Sequence, residues 1–179
     1  MKDDIKEVLL SEEDVLEISR KLGSKISEDY KGKDLLVIGI LKGAVLFTSD
    51  LLKNISIPCQ IDFMAASSYG NSAESSGVVK IKKDVDCDVA GKDVLIVEDI
   101  VDTGITLKYI IGELKKRKVN SVEVVALLDK PEGRKTDVKA KYIGFKMPNE
   151  FLVGYGLDYA EKYRNLPYIG ILKPEVYNK

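Results

Sequence analysis

Short apolar runs that stop at polar or charged residues recur along this chain and alternate with stretches of helical spacing. A strand buried on both faces of a parallel sheet appears as such a run, whereas an amphipathic helix repeats its apolar residues every three or four positions. The runs predict strands over 35–40, 57–65, 94–97, 121–128, 139–145 and 168–172, and the periodic stretches predict helices over 11–26, 44–52 and 107–114. This alternation predicts an α/β fold with a mostly parallel, doubly wound sheet.

Three further segments refine the prediction. Ser11-Glu12-Glu13-Asp14 is typical of a capped helix start. Residues 78–82 alternate like an exposed strand and could pair with the strand before them, whereas residues 67–77 carry glycines and serines without apolar periodicity and predict a mobile surface loop. We expect one domain over residues 1–179, with its non-consecutive ends forming a small subdomain over the sheet.

The strongest candidate site follows the apolar run at 94–97. Glu98, Asp99 and Asp102 come next and lead into Thr103-Gly104-Ile105-Thr106, at the start of a predicted helix. Ligands of α/β sheets bind where parallel strands end, and a tight glycine turn with converging amides can cradle an anion. Carboxylates accept hydrogen bonds from a diol, so the segment suits a phosphorylated ribose. The alternative is an ordinary strand-turn-helix junction in which Asp99 or Asp102 caps the helix.

Composition narrows the classes of function. The 179 residues suffice for one domain with a substantial core. With 28 basic and 29 acidic side chains, the chain lacks the basic excess of a nucleic-acid-binding protein. The sequence shows no uncharged apolar segment of transmembrane length and no apolar stretch typical of a signal peptide at its N-terminus, so we expect no membrane association and a cytoplasmic location.

The chain contains no histidine, which removes histidine-based catalysis and imidazole metal ligands. Cys59 and Cys87 can form neither a disulfide framework nor a spacing typical of zinc ligands. Carboxylates and lysines must therefore carry the chemistry.

The complete pattern around the three acids resembles the phosphoribosyl pyrophosphate signature of the type I phosphoribosyltransferases. It comprises four apolar residues, Glu98-Asp99, two more apolar residues and Asp102-Thr103-Gly104-Ile105-Thr106. The Glu-Asp pair and Asp102 are similar to the hypoxanthine-guanine (6-oxopurine) branch, because other branches usually carry Asp-Asp and lack the third carboxylate. Ile105 stands where some members have lysine, and it would contribute through its backbone. The resemblance implies the type I phosphoribosyltransferase fold, a mostly parallel central sheet flanked by helices with a small hood subdomain.

The resemblance also implies roles for residues outside this segment. Lys42 and Gly43 would hold pyrophosphate on a loop that often has a cis peptide, here Leu41-Lys42, and Ser68 and Tyr69 would belong to a mobile lid. On the base side Lys130 would donate to the purine O6, Phe151 would stack on the ring, and the Leu152 backbone would meet the base edge. Asp158 would bind magnesium, and Arg164 would contact pyrophosphate. Considered singly, the lysines, Asp158 and Arg164 could be surface charges, Phe151 and Leu152 core residues, and the lid an ordinary loop.

The implied reaction joins hypoxanthine or guanine N9 to C1′ of phosphoribosyl pyrophosphate and gives IMP or GMP, a step of purine salvage. Asp102 would take the N7 proton, Thr103, Gly104, Ile105 and Thr106 would hold the 5′-phosphate, and Glu98, Asp99 and Asp158 would hold Mg²⁺. A preference for xanthine and a phosphoribosyl pyrophosphate sensor of the same fold remain as alternatives. A homodimer or homotetramer is expected from the family, with small molecules as the other partners.

Overall fold

The computed structural model describes residues 1–68, 79–147 and 149–178. Its strands are β1 (Ile5–Leu10), β2 (Leu35–Leu41), β3 (Gln60–Ser68), β4 (Val79–Lys83), β5 (Asp93–Val101), β6 (Ser121–Asp129), β7 (Tyr142–Lys146), β8 (Leu152–Val153) and β9 (Ile169–Leu172). Its helices are α1 (Glu12–Asp29), α2 (Val45–Leu52), α3 (Ile105–Lys116) and α4 (Pro174–Tyr177), and short 3-10 turns cover Lys2–Asp4 and Pro131–Gly133.

The larger sheet has the strand order β4-β3-β2-β5-β6-β7. Every neighbouring pair from β3 to β7 is parallel, and β4 is antiparallel to β3 at the edge. The prediction of a mostly parallel sheet is therefore confirmed, as is the antiparallel partner predicted at residues 78–82. The strand predicted at 57–65 begins only at Gln60, since Pro58 has no amide for a ladder and the amide of Ser56 bonds the hydroxyl of Ser27 at 2.9 Å.

Alternate residues of the central strand β5 face two different hydrophobic layers. Leu95 and Val97 pack with residues of α1 and α2, whereas Val94 and Ile96 pack with α3. Side chains of a strand point alternately to opposite faces, and here both faces are covered. Double coverage explains why the strand appears in the sequence as an unbroken apolar run.

The strand that carries the candidate acids is longer than predicted. It was expected to end at Val97, but the pairing of β5 with β6 continues through Val101, which lies opposite Asp129. Glu98 and Asp99 are thus strand residues and do not lie in a loop beyond the strand. Pairing with β6 accounts for the extra length, because only the ladder to β2 stops at Val97.

Both helix starts that the sequence singled out are present, with different chemistry. At α1 the Ser11 hydroxyl accepts a hydrogen bond from the Asp14 amide, and the Asp14 carboxylate accepts one from the Ser11 amide, forming a capping box. At α3 the residue before the helix is Gly104, in a left-handed conformation with φ of 75°, and no side chain caps the helix. Asp99 and Asp102 are therefore not caps.

A second, three-stranded sheet combines the two ends of the described chain, in the order β1-β9-β8 with antiparallel neighbours. We call this sheet, with the residues between β8 and β9, the hood. Strand β1 was not predicted, and its pairing with β9 contains two register irregularities. Val8 in this strand is half exposed, so its apolar residues do not alternate cleanly. No helix in the described part of the chain is long and apolar enough to span a membrane.

Candidate active site

The candidate acids lie at the topological switch point of the larger sheet. β2 and β5 are neighbours there; β3 follows β2 on one side, and β6 follows β5 on the other. The ladder between β2 and β5 stops at Gly39 and Val97, and the strands separate beyond it. A crevice at such a switch point is the usual ligand site of an open α/β sheet. Here a cleft of about 240 Å³ is lined by the end of β2, Gly43, residues 98–104, Thr106 and Leu107.

Glu98 and Asp99 are unusual carboxylates because they lie deep in this cleft. Burial, with a contribution from the charge of Asp99, raises the pKa of Glu98 well above its ordinary value. Burial also raises the pKa of Asp99, to about 6, although the Ile100 amide donates a 2.8 Å hydrogen bond to this carboxylate and Arg164 lies nearby. Cations or hydroxyl donors that enter the cleft would therefore stabilise the charged form of these two carboxylates.

The turn that follows β5 exposes the start of α3 to the same cleft. Gly104 supplies the left-handed residue of the turn, and Thr103, Gly104 and Thr106 line the cleft. Amides at a helix N-terminus attract anions, so the turn can hold a phosphate. Ile105 is the first residue of the helix and offers its amide, which lies 3.4 Å from the Thr103 hydroxyl oxygen. The turn is supported from outside by the Lys135 amide, which donates to the Thr103 carbonyl at 3.0 Å.

The loop after β2 packs directly against the acids. The Leu41-Lys42 peptide is cis, as the family resemblance implied. A Cβ added at Gly43 would overlap the Asp99 carboxylate, and one added at Gly156 would overlap the Gly43 carbonyl. The absence of side chains at these two glycines therefore lets the loop, the end of β5 and the hood meet.

The hood contributes a charged cluster beside this loop. The Arg164 guanidinium lies 2.8 Å from the Asp158 carboxylate and donates to the Gly156 carbonyl at 2.7 Å. Lys42 Nζ lies 2.8 Å from Glu161 Oε2, and the Glu161 amide donates to Asp158 at 2.9 Å. The structure therefore places Lys42, Asp158 and Arg164 in one neighbourhood, and their contacts with pyrophosphate and magnesium stay predictions.

The side chain proposed to bind the purine O6 follows β6, next to Asp102. The Lys130 amide donates to the Val101 carbonyl at 3.0 Å, which fixes this residue beside the end of β5. A Cβ added at Gly133 would overlap the Asp102 carboxylate, so that carboxylate rests directly on the turn after Lys130. Lys130 and Asp102 are thus held in adjacent segments, and Asp102 lines the cleft whereas Lys130 does not.

Leu152 is the first residue of β8 in the hood, and Phe151 directly precedes it; neither residue lines the cleft between β2 and β5. The Phe151 ring is 38% exposed, stacks on Tyr177 at 4.9 Å between centroids and meets Tyr159 edge-on at 5.6 Å. The Leu152 side chain is buried, and its backbone pairs with Ile171. Both purine contacts therefore stay predictions. The stacking of Tyr177 on Phe151 was not expected.

The predicted lid can be described only at its first residues. Ser68 ends β3, with its backbone opposite Val79. Tyr69 and the rest of the predicted loop lie outside the described residues.

Sequence reasoning missed three residues that shape the site. Glu161 pairs with Lys42, Gly133 makes room for Asp102, and Arg134 bonds the backbone at Asp102. Each lies in an irregular segment, where hydrophobic periodicity gives no signal. The one available signal was proximity to Lys130 or Asp158 in the sequence.

Comparison with known proteins identifies the class that this fold and cleft define. Residues 7–160 match the family described as phosphoribosyl transferase domain, and the chain belongs to this family. Within it, the chain is 58% identical to the hypoxanthine-guanine phosphoribosyltransferase of Staphylococcus aureus, over 99% of both chains.

Solved structures agree with this assignment. A crystal structure of a hypoxanthine phosphoribosyltransferase from Staphylococcus aureus superposes with a TM-score of 0.97 at 57% identity, covering 100% of this chain and 97% of that one. A hypoxanthine-guanine phosphoribosyltransferase from Bacillus anthracis gives 0.90 at 46% identity, covering 94% and 99%. The type I phosphoribosyltransferase fold implied by the sequence is therefore confirmed.

Proposed function

We propose that this protein transfers the 5-phosphoribosyl group of phosphoribosyl pyrophosphate to N9 of hypoxanthine or guanine, giving IMP or GMP and pyrophosphate in purine salvage. One observation carries the proposal. A single cleft brings together the Glu98-Asp99 pair, the phosphate-binding turn and the Gly43 loop. The names of the relatives, at 58% identity, favour a 6-oxopurine as the acceptor.

Three groups of residues in and beside the cleft would each bind a different part of the sugar substrate. Thr103, Gly104, Ile105 and Thr106 would hold the 5′-phosphate through hydroxyls and helix amides. Glu98 and Asp99 would accept hydrogen bonds from the ribose diol. Lys42, Gly43 and Arg164 would bind the pyrophosphate, since their loops meet beside Asp99.

The donor set fits a magnesium ion that arrives with the pyrophosphate. Glu98, Asp99 and Asp158 supply only carboxylate oxygens, the ligand type that Mg²⁺ prefers. Within the described residues, no three His, Cys, Asp or Glu side chains lie close enough together to hold a metal ion by themselves, so Glu98, Asp99 and Asp158 would need the pyrophosphate to complete the site. A site of few protein ligands suits Mg²⁺, which keeps waters and shares substrate phosphates. When bound, the ion would offset charge on the departing pyrophosphate.

Asp102 would act on the base while the sugar bond breaks. Cleavage of the bond between C1′ and pyrophosphate leaves positive charge on the ribose, so holding the base in line and stabilising the leaving group supply the rate. The Asp102 carboxylate would take the N7 proton as N9 attacks. Lys130 would donate to O6 and thereby reject 6-amino bases, which cannot accept that bond. Phe151 would stack on the ring and the Leu152 backbone would meet its edge.

The segment at Ser68 and Tyr69 would close over the reacting centre and exclude water from the sugar. We further propose that the protein acts in the cytoplasm as a homodimer or homotetramer, following the pattern of its family. Size-exclusion chromatography with light scattering gives the subunit number, and a monomer would refute this part.

The decisive assay incubates the protein with phosphoribosyl pyrophosphate, Mg²⁺ and one of hypoxanthine, guanine, xanthine, adenine or uracil, and follows nucleotide by chromatography. We expect IMP and GMP, and no AMP or UMP. Product only from xanthine would favour the xanthine-preferring alternative. Binding of phosphoribosyl pyrophosphate without product from any base would favour the sensor.

A further inference from the structure

The guanidinium of Arg134 fills the space between the ends of β5 and β6. Nε donates to the Asp102 carbonyl at 2.8 Å, and Nη2 donates to the Val101 carbonyl at 3.1 Å. Nη1 donates to the Val138 carbonyl at 2.5 Å, and Nη2 also bonds the Asp129 carboxylate. One side chain therefore ties together two strand ends and the segment at Val138.

This arrangement suits arginine and no other side chain. Arg134 and Asp129 are both largely buried, with side chains 16% and 10% exposed, so each charge depends on the other. The guanidinium presents its donors in a rigid plane, whereas the ammonium of lysine is a compact point charge on a flexible stem. A lysine could pair with Asp129 but could not span the carbonyls of Val101, Asp102 and Val138.

The residues beside Arg134 contact the same turn. Gly133 lies against the Asp102 carboxylate. The Lys135 amide and the Thr136 hydroxyl donate to the Thr103 carbonyl at 3.0 and 3.3 Å. Four consecutive residues thus contact Asp102 and Thr103, yet Arg134 alone reaches the backbone of Asp102 with a charged donor.

We propose that Arg134 is a positioning residue that fixes the backbone at Asp102, so that the Asp102 carboxylate meets the purine in a productive orientation. This inference rests on the proposed function and assigns Arg134 no contact with substrate. A displacement of roughly 1 Å in a reacting group can cost about 100-fold in rate. Loss of the guanidinium should therefore lower kcat more than it raises KM for phosphoribosyl pyrophosphate, because Lys135 and Thr136 still hold Thr103.

The test compares Arg134→Lys and Arg134→Ala with Arg117→Lys and Arg117→Ala. Arg117 is a matched control because it also pairs with an aspartate, Asp84, through two hydrogen bonds of 2.8 and 2.7 Å, away from the cleft. For Arg134→Lys we expect kcat with hypoxanthine to fall about 100-fold, with a much smaller change in KM for phosphoribosyl pyrophosphate. The Arg117 variants should keep the kcat of the unmodified protein.

Chemical rescue separates positioning from folding. A cavity beside Arg134, lined also by Asp129 and Val138, gives solvent access to the place of the guanidinium. Added guanidinium ion should restore part of the kcat of Arg134→Ala at concentrations too low to denature the protein, and should leave Arg117→Ala unchanged. If Arg134→Ala fails to fold, Arg134→Lys and its kcat carry the test.

Amide hydrogen exchange gives a readout that does not depend on catalysis. We expect faster exchange at residues 102–106 in Arg134→Lys and unchanged exchange in α1. An unaltered kcat in folded Arg134→Lys, or unaltered exchange at 102–106, overturns the inference. If the unmodified protein makes no nucleotide from any base, the proposed function fails, and the exchange result still decides whether Arg134 orders the turn.

Discussion

The carboxylates of the cleft differ in their surroundings, and the differences separate their roles. Glu98 is buried and Asp99 is half-buried where two strands separate, and loss of contact with solvent raises the pKa of each carboxyl. Asp102 directly follows the end of β5, and its carboxylate lies against the backbone at Gly133. The shielded pair fits the proposed binding of cations and hydroxyls, whereas a carboxylate on a supported turn fits the proton transfer that we propose for Asp102.

Asp102→Ala should lower kcat strongly and leave the binding of phosphoribosyl pyrophosphate largely intact. Removal of a positioned proton acceptor typically costs about 10²–10⁴ in rate. Steady-state kinetics with hypoxanthine and calorimetric titration with phosphoribosyl pyrophosphate measure the two effects. The control is Asp137→Ala, since that side chain is exposed and pairs with Lys108 outside the cleft. Unchanged turnover in Asp102→Ala would remove this residue from the mechanism.

Glu98→Gln should stabilise the fold at alkaline pH. Burial raises the folded-state pKa of Glu98 above its unfolded-state pKa. Such a carboxyl contributes stability that is fully present at pH values below the unfolded-state pKa and is lost as the pH rises through the folded-state pKa. The neutral amide avoids this loss, so its gain in Tm over the unmodified protein should be larger at pH 8 than at pH 5. Thermal melts at both pH values measure it, and an equal or smaller gain at pH 8 contradicts the assignment. Glu12→Gln, on the exposed first turn of α1, is the control.

At the scale of elements, apolar runs and periodic stripes located most strands and helices of the larger sheet. Strand ends were harder to predict, because they depend on a partner. β5 continues past Val97 only because β6 pairs with it as far as Asp129. β1 was missed because its apolar residues do not alternate and its partner, β9, is distant in sequence.

The acidic pair and the glycine turn were visible in the sequence, since one short segment contains them, whereas Arg134 and Glu161 reach the site from other loops.

The turn at Pro131–Gly133 provides a test at this scale. Gly133→Ala would place a Cβ where the Asp102 carboxylate lies and should displace that carboxylate. We expect kcat to fall roughly tenfold or more, as for a misplaced reacting group, with only a small change in Tm.

Gly112→Ala is the matched control, because a Cβ at this position in α3 meets nothing within 4 Å. That variant should keep full activity and gain roughly 0.5–1 kcal/mol in stability. Equal activity of the two variants contradicts the role of Gly133.

At the scale of the molecule, the substrate is proposed to connect the larger sheet with the hood. The turn at residues 103–106, which we propose to bind the 5′-phosphate, follows β5 of the larger sheet, whereas Asp158 and Arg164 lie between β8 and β9. The two parts already touch through Gly43 and Gly156. A ligand that binds both parts should therefore order both.

Phosphoribosyl pyrophosphate with Mg²⁺ should slow amide exchange at residues 102–106 and also at 156–164, while α1 remains unchanged. At about 100 times its Kd, such a ligand adds about 2.7 kcal/mol to stability, so Tm should rise as well. Exchange monitored by mass spectrometry, with and without the ligand, measures the effect. Inorganic phosphate, which lacks the sugar and the pyrophosphate, is the control and should protect at most 102–106. Protection confined to that turn in both cases would remove the hood from the binding site.

The three glycines that abut the cleft, Gly43, Gly133 and Gly156, have a consequence for how this gene can vary. At each of them an added methyl group would overlap a carboxylate or a backbone carbonyl. We therefore expect substitutions at these three positions to lower activity, even though none of the three glycines carries a reactive group. A library aimed at a new acceptor base should leave them fixed and vary the side chains around Lys130 and Phe151 instead.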